Sequence, residues 1–298
     1  MEITTMRDYM FNYLTKHKGF DANTSDLKFA VNNSKLTDTV TFSMPAGHSC
    51  PYAKDCRSCG IRNPRKRHDI GDKRKFIIQD GPHTIFRCFV AIEEVMYKEV
   101  RNARWWNYLL VLNAITKGKS AVVELIERTL PKNDFRVRID VSGDFFNQIY
   151  FDAWLQVARN NPDRLFYAYT KALPLWVKRI NSIPNNVKLT ASYGGTHDHL
   201  IAKYNLKSAK VVTSVQEARM MGLPIDHDDS LAYSSDKSFA LLLHGQQPKG
   251  PMAKAWYLLK KMGTAGYGVT KAATKTAGAK SASAVGVLLR PSRWYNME

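Results

Sequence analysis

The sequence predicts an α/β protein built on a parallel sheet that is open or partly closed as a barrel. From residue 135 onward, β-branched and aromatic runs alternate with amphipathic segments, the pattern of repeated strand, helix and strand units. Parallel strands need helical crossovers, and such sheets bind ligands beyond the carboxyl ends of their strands. Small and polar residues follow several of these strands. The sequence therefore predicts both a fold and the edge at which a site would lie.

Each element rests on a local pattern, with proline and glycine marking the breaks between elements. Strands are predicted over residues 37–44, 135–141, 165–169, 187–192 and 209–213, and helices over 9–14, 92–115, 119–130, 150–160, 174–183, 215–222 and 256–262. Residues 45–59 contain two prolines and a glycine, so we expect the first strand to deliver a loop.

Three parts follow from this order. We predict a helical N-terminal segment over residues 1–36, and an α/β metal or iron–sulfur domain over 37–262 with a helical insertion at 92–130. A basic tail over 263–298 is rich in Ala, Gly, Thr, Ser and Lys. Alone in water such a tail should be mobile, and its spaced lysines suit binding to a polyanion.

The composition is strongly basic, with 44 Lys and Arg against 26 Asp and Glu and a formal net charge of +18. This imbalance favours a polyanionic partner, nucleic acid first, although solubility by self-repulsion would also account for it. A basic run at residues 62–68 fits either interpretation. The N-terminus has no signal-peptide pattern, and no apolar stretch approaches the roughly 20 residues of a membrane helix. We therefore expect a cytoplasmic protein with no membrane partner, and composition leaves the oligomeric state open.

All four cysteines lie close together in sequence, at Cys50, Cys56, Cys59 and Cys88. Clustered thiols at short spacing in a long chain without a secretory signal indicate a metal or iron–sulfur site more than a disulfide framework. Thiolates suit iron, and a 4Fe–4S cluster is the favoured cofactor. A four-cysteine zinc site is the alternative, and unliganded thiols are the third interpretation.

Five residues at the predicted strand ends are candidates for binding a cofactor. Asp144 could bond a ribose hydroxyl or an amino group, or it could cap the next helix. Lys171 could contact a phosphate or carboxylate, or lie on the surface. Ser192, Gly194 and Gly195 form a loop whose amides could approach an anion, although a tight turn would need glycine for the same reason.

Two further segments could bind a ligand, but we favour a purely structural interpretation of each. The acidic run Asp226, His227, Asp228 and Asp229 could bind a hard cation, but a solvated loop is the expected state. Trp105 and Trp106 stand beside arginines and could stack bases, but paired aromatics on a helix usually belong to the core.

Several segments together carry a resemblance to a known family. They are residues 41–45 (Thr-Phe-Ser-Met-Pro), 49–51 (Ser-Cys-Pro) with Cys56 and Cys59, 138–146 (Arg-Ile-Asp-Val-Ser-Gly-Asp-Phe-Phe), 166–171 (Phe-Tyr-Ala-Tyr-Thr-Lys) and 189–192 (Leu-Thr-Ala-Ser). Over roughly residues 37–245 the chain resembles the phage gene-88-product family. The resemblance implies a radical-SAM-like partial barrel in which a three-cysteine loop holds an iron–sulfur cluster at the strand ends, with SAM as a further candidate ligand.

The cysteine spacing differs from the common radical-SAM pattern. Here five residues separate Cys50 from Cys56, where that pattern has three, and Cys88 adds a fourth thiol. Two hypotheses stay open. One is a phage-type iron–sulfur or metal protein that acts on or binds nucleic acid, as a radical-SAM-like modifying enzyme. The other is a non-catalytic nucleic-acid-binding protein with structural zinc or a closed iron–sulfur site. Ligation by Cys88 would separate an open centre from a closed one.

Overall fold

A computed structural model describes residues 5–31, 36, 38–64, 75–132 and 135–263. Six parallel strands form a sheet in the order β1-β4-β5-β6-β7-β8, curled into a half-barrel, and β2 and β3 form a separate antiparallel pair. The strands are β1 (Thr39–Thr41), β2 (Ser58–Arg62), β3 (Phe76–Asp80), β4 (Arg136–Arg138), β5 (Leu165–Thr170), β6 (Val187–Ser192), β7 (Ser208–Val212) and β8 (Phe239–Leu242). The predicted α/β partial barrel is confirmed.

Ten helices accompany these strands in the described ranges. They are α1 (Met6–Lys18), α2 (Phe89–Met96), α3 (Lys98–Thr116), α4 (Lys119–Thr129), α5 (Gln148–Asn160), α6 (Leu173–Val177), α7 (His199–Lys203), α8 (Val215–Met220), α9 (Ser230–Ser234) and α10 (Pro251–Lys261), with a 3-10 turn at Ile180–Ser182. The first one begins at a capping threonine, Thr5, and ends at Gly19 in the left-handed conformation (φ 67°). No helix in these ranges is long and apolar enough to cross a membrane.

The register of the sheet separates an apolar face from a polar one. Val40 pairs with Val137, which pairs with Phe166, whereas the next register line joins Thr41, Arg138 and Tyr167. Paired residues point to the same side, so the first set defines what we call the outer face and the second the inner face.

The outer face carries the main core. There the Trp154 ring of α5 lies 6.4 Å from the Phe166 ring and 5.7 Å from the Phe42 ring. On the inner face, the Tyr167 ring lies 5.4 Å from the Tyr233 ring of α9. One sheet thus supports a conventional apolar core on one side and polar groups on the other.

The two strands predicted over residues 37–44 and 135–141 are shorter than predicted. Backbone pairing continues beyond them, with Phe42 N–H donating to Arg138 O at 3.0 Å and Val141 N–H donating to Phe42 O at 2.9 Å. Asp140 interrupts the regular strand because its φ is 54°. The sequence pattern therefore identified these extended segments but not the bend within the second.

The chain between β1 and β4 contains the β2–β3 hairpin, α2, α3 and α4. A single helix predicted over residues 92–115 is wrong, because Tyr97 has extended backbone angles (φ −112°, ψ 109°) and separates α2 from α3. Trp105 and Trp106 are buried, as core residues should be. Residues 65–74, which include most of the predicted basic run, and residues 264–298 of the predicted tail lie outside the described ranges.

Candidate functional site

Residues 50–57, here called the cysteine loop, are bound to the carboxyl end of β6. The N–H groups of Lys54 and Asp55 both donate to Gly194 O at 3.0 Å, and Thr196 N–H donates to Tyr52 O at 2.9 Å. Ala53 also forms an antiparallel bridge with Gly195. The loop therefore lies at the edge where ligands collect in parallel sheets.

The glycines after β6 permit this close approach. Gly194 has a φ of 93°, and a side chain on it would meet the Cβ of Asp55 at 3.0 Å. The N–H groups of Gly194 and Gly195 donate to the carboxylate of Asp198, at 2.8 and 2.9 Å. The anion that these amides hold is thus one of the chain's own carboxylates, and their role in cofactor binding stays a prediction.

The loop after β4 closes on the same region. Gly143 has a φ of 94°, and a side chain there would meet Ser49 Oγ at 2.6 Å, one residue before Cys50. Met44 N–H donates to Ser142 O at 2.7 Å, which joins the end of β1 to this loop. The segments 142–144, 170–171 and 192–195, here called the rim, thus meet the cysteine loop as the order of the strands requires.

Asp144 links two of the rim segments. Its carboxylate accepts hydrogen bonds from Thr170 Oγ1 at 2.6 Å, from Lys171 N–H at 2.8 Å and from Phe145 N–H at 2.8 Å. It is not a helix cap, since Asn147 caps α5 by accepting from Ile149 N–H at 2.7 Å. Burial raises the pKa of Asp144, and the hydrogen bond from Thr170 opposes that rise.

Lys171 is the cation that faces this group. Its Nζ donates to Ser192 Oγ at 2.6 Å, which places the two candidate residues in contact. Burial opposes the charge, but Cys56, Asp144 and further thiols interact with the amine, and the pKa of Lys171 is raised. The alternative of a surface lysine is wrong, because its amine lies among acidic groups.

Three of the four cysteines converge on Asp144 and Lys171. Cys50 interacts electrostatically with Asp144, Cys88 and Cys56, and Cys88 interacts with Cys56 and Lys171. Cys88 is placed there as the residue that precedes α2, with its N–H 3.4 Å from Ser58 Oγ. The structure therefore groups Cys50, Cys56 and Cys88 from two separate segments of the chain.

Cys59 has different surroundings. It lies within β2, where it pairs with Gln79, so the prediction that it belongs to the loop is wrong. A side chain on Gly47 would lie 2.4 Å from its Sγ, and its electrostatic neighbours are Arg57, Glu94 and Asp80. Its part in metal ligation stays a prediction.

Burial keeps these thiols protonated near neutral pH. Burial raises the pKa of Cys50 well above its ordinary value, that of Cys88 to about 12 and that of Cys59 to about 11, and acidic neighbours add to the rise. Thiolate ligands would need a cation to balance them. Among the residues that the structure describes, no group of three or more His, Cys, Asp and Glu side chains is arranged to hold a metal ion.

The sequence as a whole matches a family model. Residues 15–275 match the model described as Gene product 88. The chain belongs to the Gene product 88 family. The family resemblance predicted from the cysteine, Ser-Gly-Asp and Tyr-Thr-Lys segments is confirmed.

One relative is similar to part of the chain. Over 90 residues the chain is 32% identical to the Gene 88 protein of Mycobacterium phage L5, which covers 28% of this chain and 38% of that protein. The chain thus matches well under two thirds of that relative's length. Membership in the family and this relative support a bacteriophage origin. No solved structure matches the chain.

Two residues that support the site in this member of the family were missed by sequence reasoning. Glu94 of α2 is buried, and its Oε1 accepts from Ala46 N–H at 2.7 Å and from Ser142 Oγ at 3.3 Å. Burial raises the pKa of Glu94 to about 7, against the effect of Arg104. The pair Glu93 and Glu94 in an otherwise apolar helix is the sequence feature that could have indicated it.

The second is Gln247, which fixes the segment that leads into Cys88. Its Oε1 accepts from Arg87 N–H at 2.7 Å and its Nε2 donates to Arg87 O at 3.1 Å. Arg87 in turn forms an ion pair with Asp80 of β3. No local pattern predicts a contact between residues 160 positions apart.

Three residues of the run after α8, Asp226, His227 and Asp229, are buried, so the expectation of a solvated loop is wrong for all but the exposed Asp228. Asp229 is fully buried and forms an ion pair with Arg138, at 2.5 Å. The hydroxyl of Tyr169 donates to Asp229 Oδ1 at 3.1 Å, and that of Tyr167 donates to Asp229 Oδ2 at 3.2 Å. Burial and the charge of Asp229 raise the pKa of Asp226 to about 6. The ion pair with Arg138 of the inner face balances the charge of the buried Asp229.

Proposed function

We propose that this chain binds an iron–sulfur cluster, 4Fe–4S in type, at the carboxyl edge of its half-barrel, through Cys50, Cys56 and Cys88. The observation that carries the proposal is the convergence of these three thiols with Asp144 and Lys171. The thiolate forms of Cys50 and Cys88 are unfavourable unless a cationic centre balances them, and iron supplies that charge. Cys59 is not part of this group of three thiols, so its loss should affect the cluster less than the loss of any of them.

Ligation by three thiols leaves one iron open to a small molecule. A cluster with an open iron can supply electrons to a bound ligand, and SAM is the candidate ligand. The residues next to the thiols define what this chain would contribute. Lys171 offers a positive charge to a carboxylate or phosphate, Ser192 orients the lysine, and Asp144 fixes the backbone of residue 171 by its hydrogen bond.

The partner we propose is nucleic acid, in the host cytoplasm. The formal charge of +18 supports this choice, because Lys and Arg side chains displace counterions from phosphates. The protein would then either modify the nucleic acid or bind it without catalysing a reaction.

A second candidate is a non-catalytic nucleic-acid-binding protein with a structural site that four thiols close, holding zinc or an iron–sulfur cluster. The position of Cys59 favours it, because that thiol packs against Gly47, in the turn just before Cys50. Four thiolates are the usual ligands of a structural zinc ion.

Metal analysis of anaerobically purified protein tests both candidates. We expect brown protein that contains iron and acid-labile sulfide, and colourless protein with about one zinc per chain would contradict the cluster. Cys88→Ala and Cys59→Ala form a matched pair. Cys88→Ala should lose most of the iron and Cys59→Ala should keep most of it, whereas equal loss from both would favour the closed site.

The nucleic-acid partner has its own test. Binding of DNA and of RNA to the full chain should weaken steeply as the salt concentration rises, because phosphate contacts release counterions. Absence of binding to both at low salt would contradict this partner without affecting the metal proposal.

A further inference from the structure

A cavity of about 540 Å³ lies between the inner face of the sheet and helices α2 and α3. This volume is within the usual range for small-molecule sites. Thr41 of β1 and Arg138 of β4 line one side, and Val90, Val100 and Ala103 line the other. Its lining, among the described residues, contains no cysteine, although Phe89, the residue after Cys88, is part of it.

The walls of the cavity are largely apolar. They include the side chains of Phe29, Phe89, Val90, Tyr97, Val100 and Val141. Two buried arginines also line the cavity, and each already forms an ion pair within the chain. Arg138 pairs with Asp229, and Arg104 pairs with Glu93 and Glu94. The interior therefore suits an apolar or aromatic body, with fixed guanidinium groups at its polar side.

Lys28 is exposed at the mouth of the cavity and provides a different kind of charge. Its Nζ lies 4.0 Å from the centre of the Trp106 ring. Among the described residues it makes no ion pair, and partial burial lowers its pKa. Trp106 is not among the residues that line the cavity, but Lys28 is, and an exposed cation in the lining of an apolar cavity can meet an anionic group of a guest molecule.

The mouth is also rigid. Asn107 of α3 accepts a hydrogen bond from Lys28 N–H at 2.7 Å and donates one to Lys28 O at 2.8 Å. The same amide donates to Ser43 O at 3.1 Å, which ties the chain after β1 to the same helix. The lysine backbone is therefore fixed before any ligand arrives, which lowers the entropy that binding would cost.

We propose that this cavity binds a small amphipathic anion, with an apolar or aromatic body between the inner face and α3 and a carboxylate or phosphate group at Lys28. Arg138 and Arg104 line the polar side of the body. The proposal is independent of the metal centre, because no thiol takes part in it.

Titration calorimetry with the full chain tests the proposal, using 1-naphthyl phosphate, 1-naphthoate, the neutral 1-naphthalenemethanol and inorganic phosphate. Both naphthyl anions should bind about fivefold more tightly than the neutral probe, and inorganic phosphate alone should not bind measurably. The tighter of the two anions identifies the preferred head group. Equal affinity for the anionic and neutral probes would overturn the proposal.

Variants separate the charge from the cavity. Lys28→Gln should weaken both anions about fivefold and leave the neutral probe unchanged, and the exposed Lys119→Gln is the control that should change nothing. Ala103→Leu narrows the cavity and should weaken binding of all three naphthyl probes. Unchanged binding of the anions to either Lys28→Gln or Ala103→Leu would refute the site. Lys28 is exposed, so its variant should fold even if Ala103→Leu does not.

Discussion

The inner face and the rim of the same sheet both contain buried charge, and they balance it differently. On the inner face, Arg138 pairs with Asp229, and the hydroxyl of Tyr169 donates a hydrogen bond to the same carboxylate. At the rim, Lys171 faces Asp144 together with thiols on two segments. While the thiols are protonated, one carboxylate faces one cation at the rim, and negative charge would exceed positive charge there only if the thiols ionised.

This difference separates a structural network from a candidate site. A buried ion pair with good hydrogen bonds is complete within the chain, and removal of one partner leaves an uncompensated charge. Buried thiols are neutral while protonated, and they would become thiolate ligands only if a cation such as a metal ion bound them. The predictions below test whether the two regions differ in this way.

The largest effect should come from breaking the inner-face pair. Asp229→Asn leaves Arg138 buried without its carboxylate, so the free energy of unfolding should fall by about 3–5 kcal/mol. Asparagine tolerates the left-handed backbone of this position (φ 62°), so the loss would come from charge. Urea denaturation monitored by circular dichroism measures it.

A partly exposed ion pair provides the matched control. Asp152→Asn breaks the pair that Asp152 forms with Arg179 at 2.7 Å, where water can replace the lost carboxylate. It should cost about 0–1 kcal/mol. If Asp229→Asn costs no more than this control, the inner-face network is not a structural one.

Asp226 should give the inner face a pH dependence. Its pKa is raised from 3.8 to about 6 in the folded protein, so between these values the folded state binds more protons and stability falls as the pH rises. The loss should be complete above about pH 6 and amount to at most about 3 kcal/mol. Asp226→Asn should reduce this slope and leave the part that Glu94 contributes, measured as unfolding free energy between about pH 4 and 7. A slope equal to that of the unmodified chain would contradict the assignment.

The sequence predicted those parts of the molecule that depend on local patterns. Alternating strands and helices after residue 135 follow from periodicity, and Val187–Ser192 has the bounds that were predicted. The meeting of residues 142–144, 170–171 and 192–195 at one edge followed as well, because consecutive parallel strands end at the same side. Direction and order of the strands were enough for this inference.

What the sequence did not predict depends on contacts between distant residues. Cys59 lies in a strand because it pairs with Gln79, and Asp229 of the acidic run is buried because it pairs with Arg138. From the sequence alone, a run of carboxylates is expected to lie in solvent, because burying a charge without a partner of opposite charge is costly. Grouping of Cys88 with Cys50 likewise depends on how the hairpin and α2 fold back.

At the rim, Gln247→Ala tests whether the position of Cys88 matters without altering a thiol. The change leaves Arg87 N–H and C=O without their partners, so unfolding should cost about 2 kcal/mol less. Metal content should also fall, measured as iron per chain after anaerobic purification. Gln156→Ala, at an exposed side chain that bonds Asn160, is the control. Metal content equal to that of the control would show that the Arg87 segment does not position the centre.

The smallest effect should come from Ser192→Ala, which removes the acceptor that Lys171 Nζ bonds at 2.6 Å. The lysine keeps its acidic neighbours, so the free energy of unfolding should fall by only about 1 kcal/mol. Iron per chain should stay unchanged, because Ser192 contacts the lysine and no thiol. Ser182→Ala, whose exposed hydroxyl donates to Arg179 O, should change neither quantity. A loss of iron from Ser192→Ala would mean that Lys171 itself helps to hold the centre, and the rim would then balance its charge partly as the inner face does.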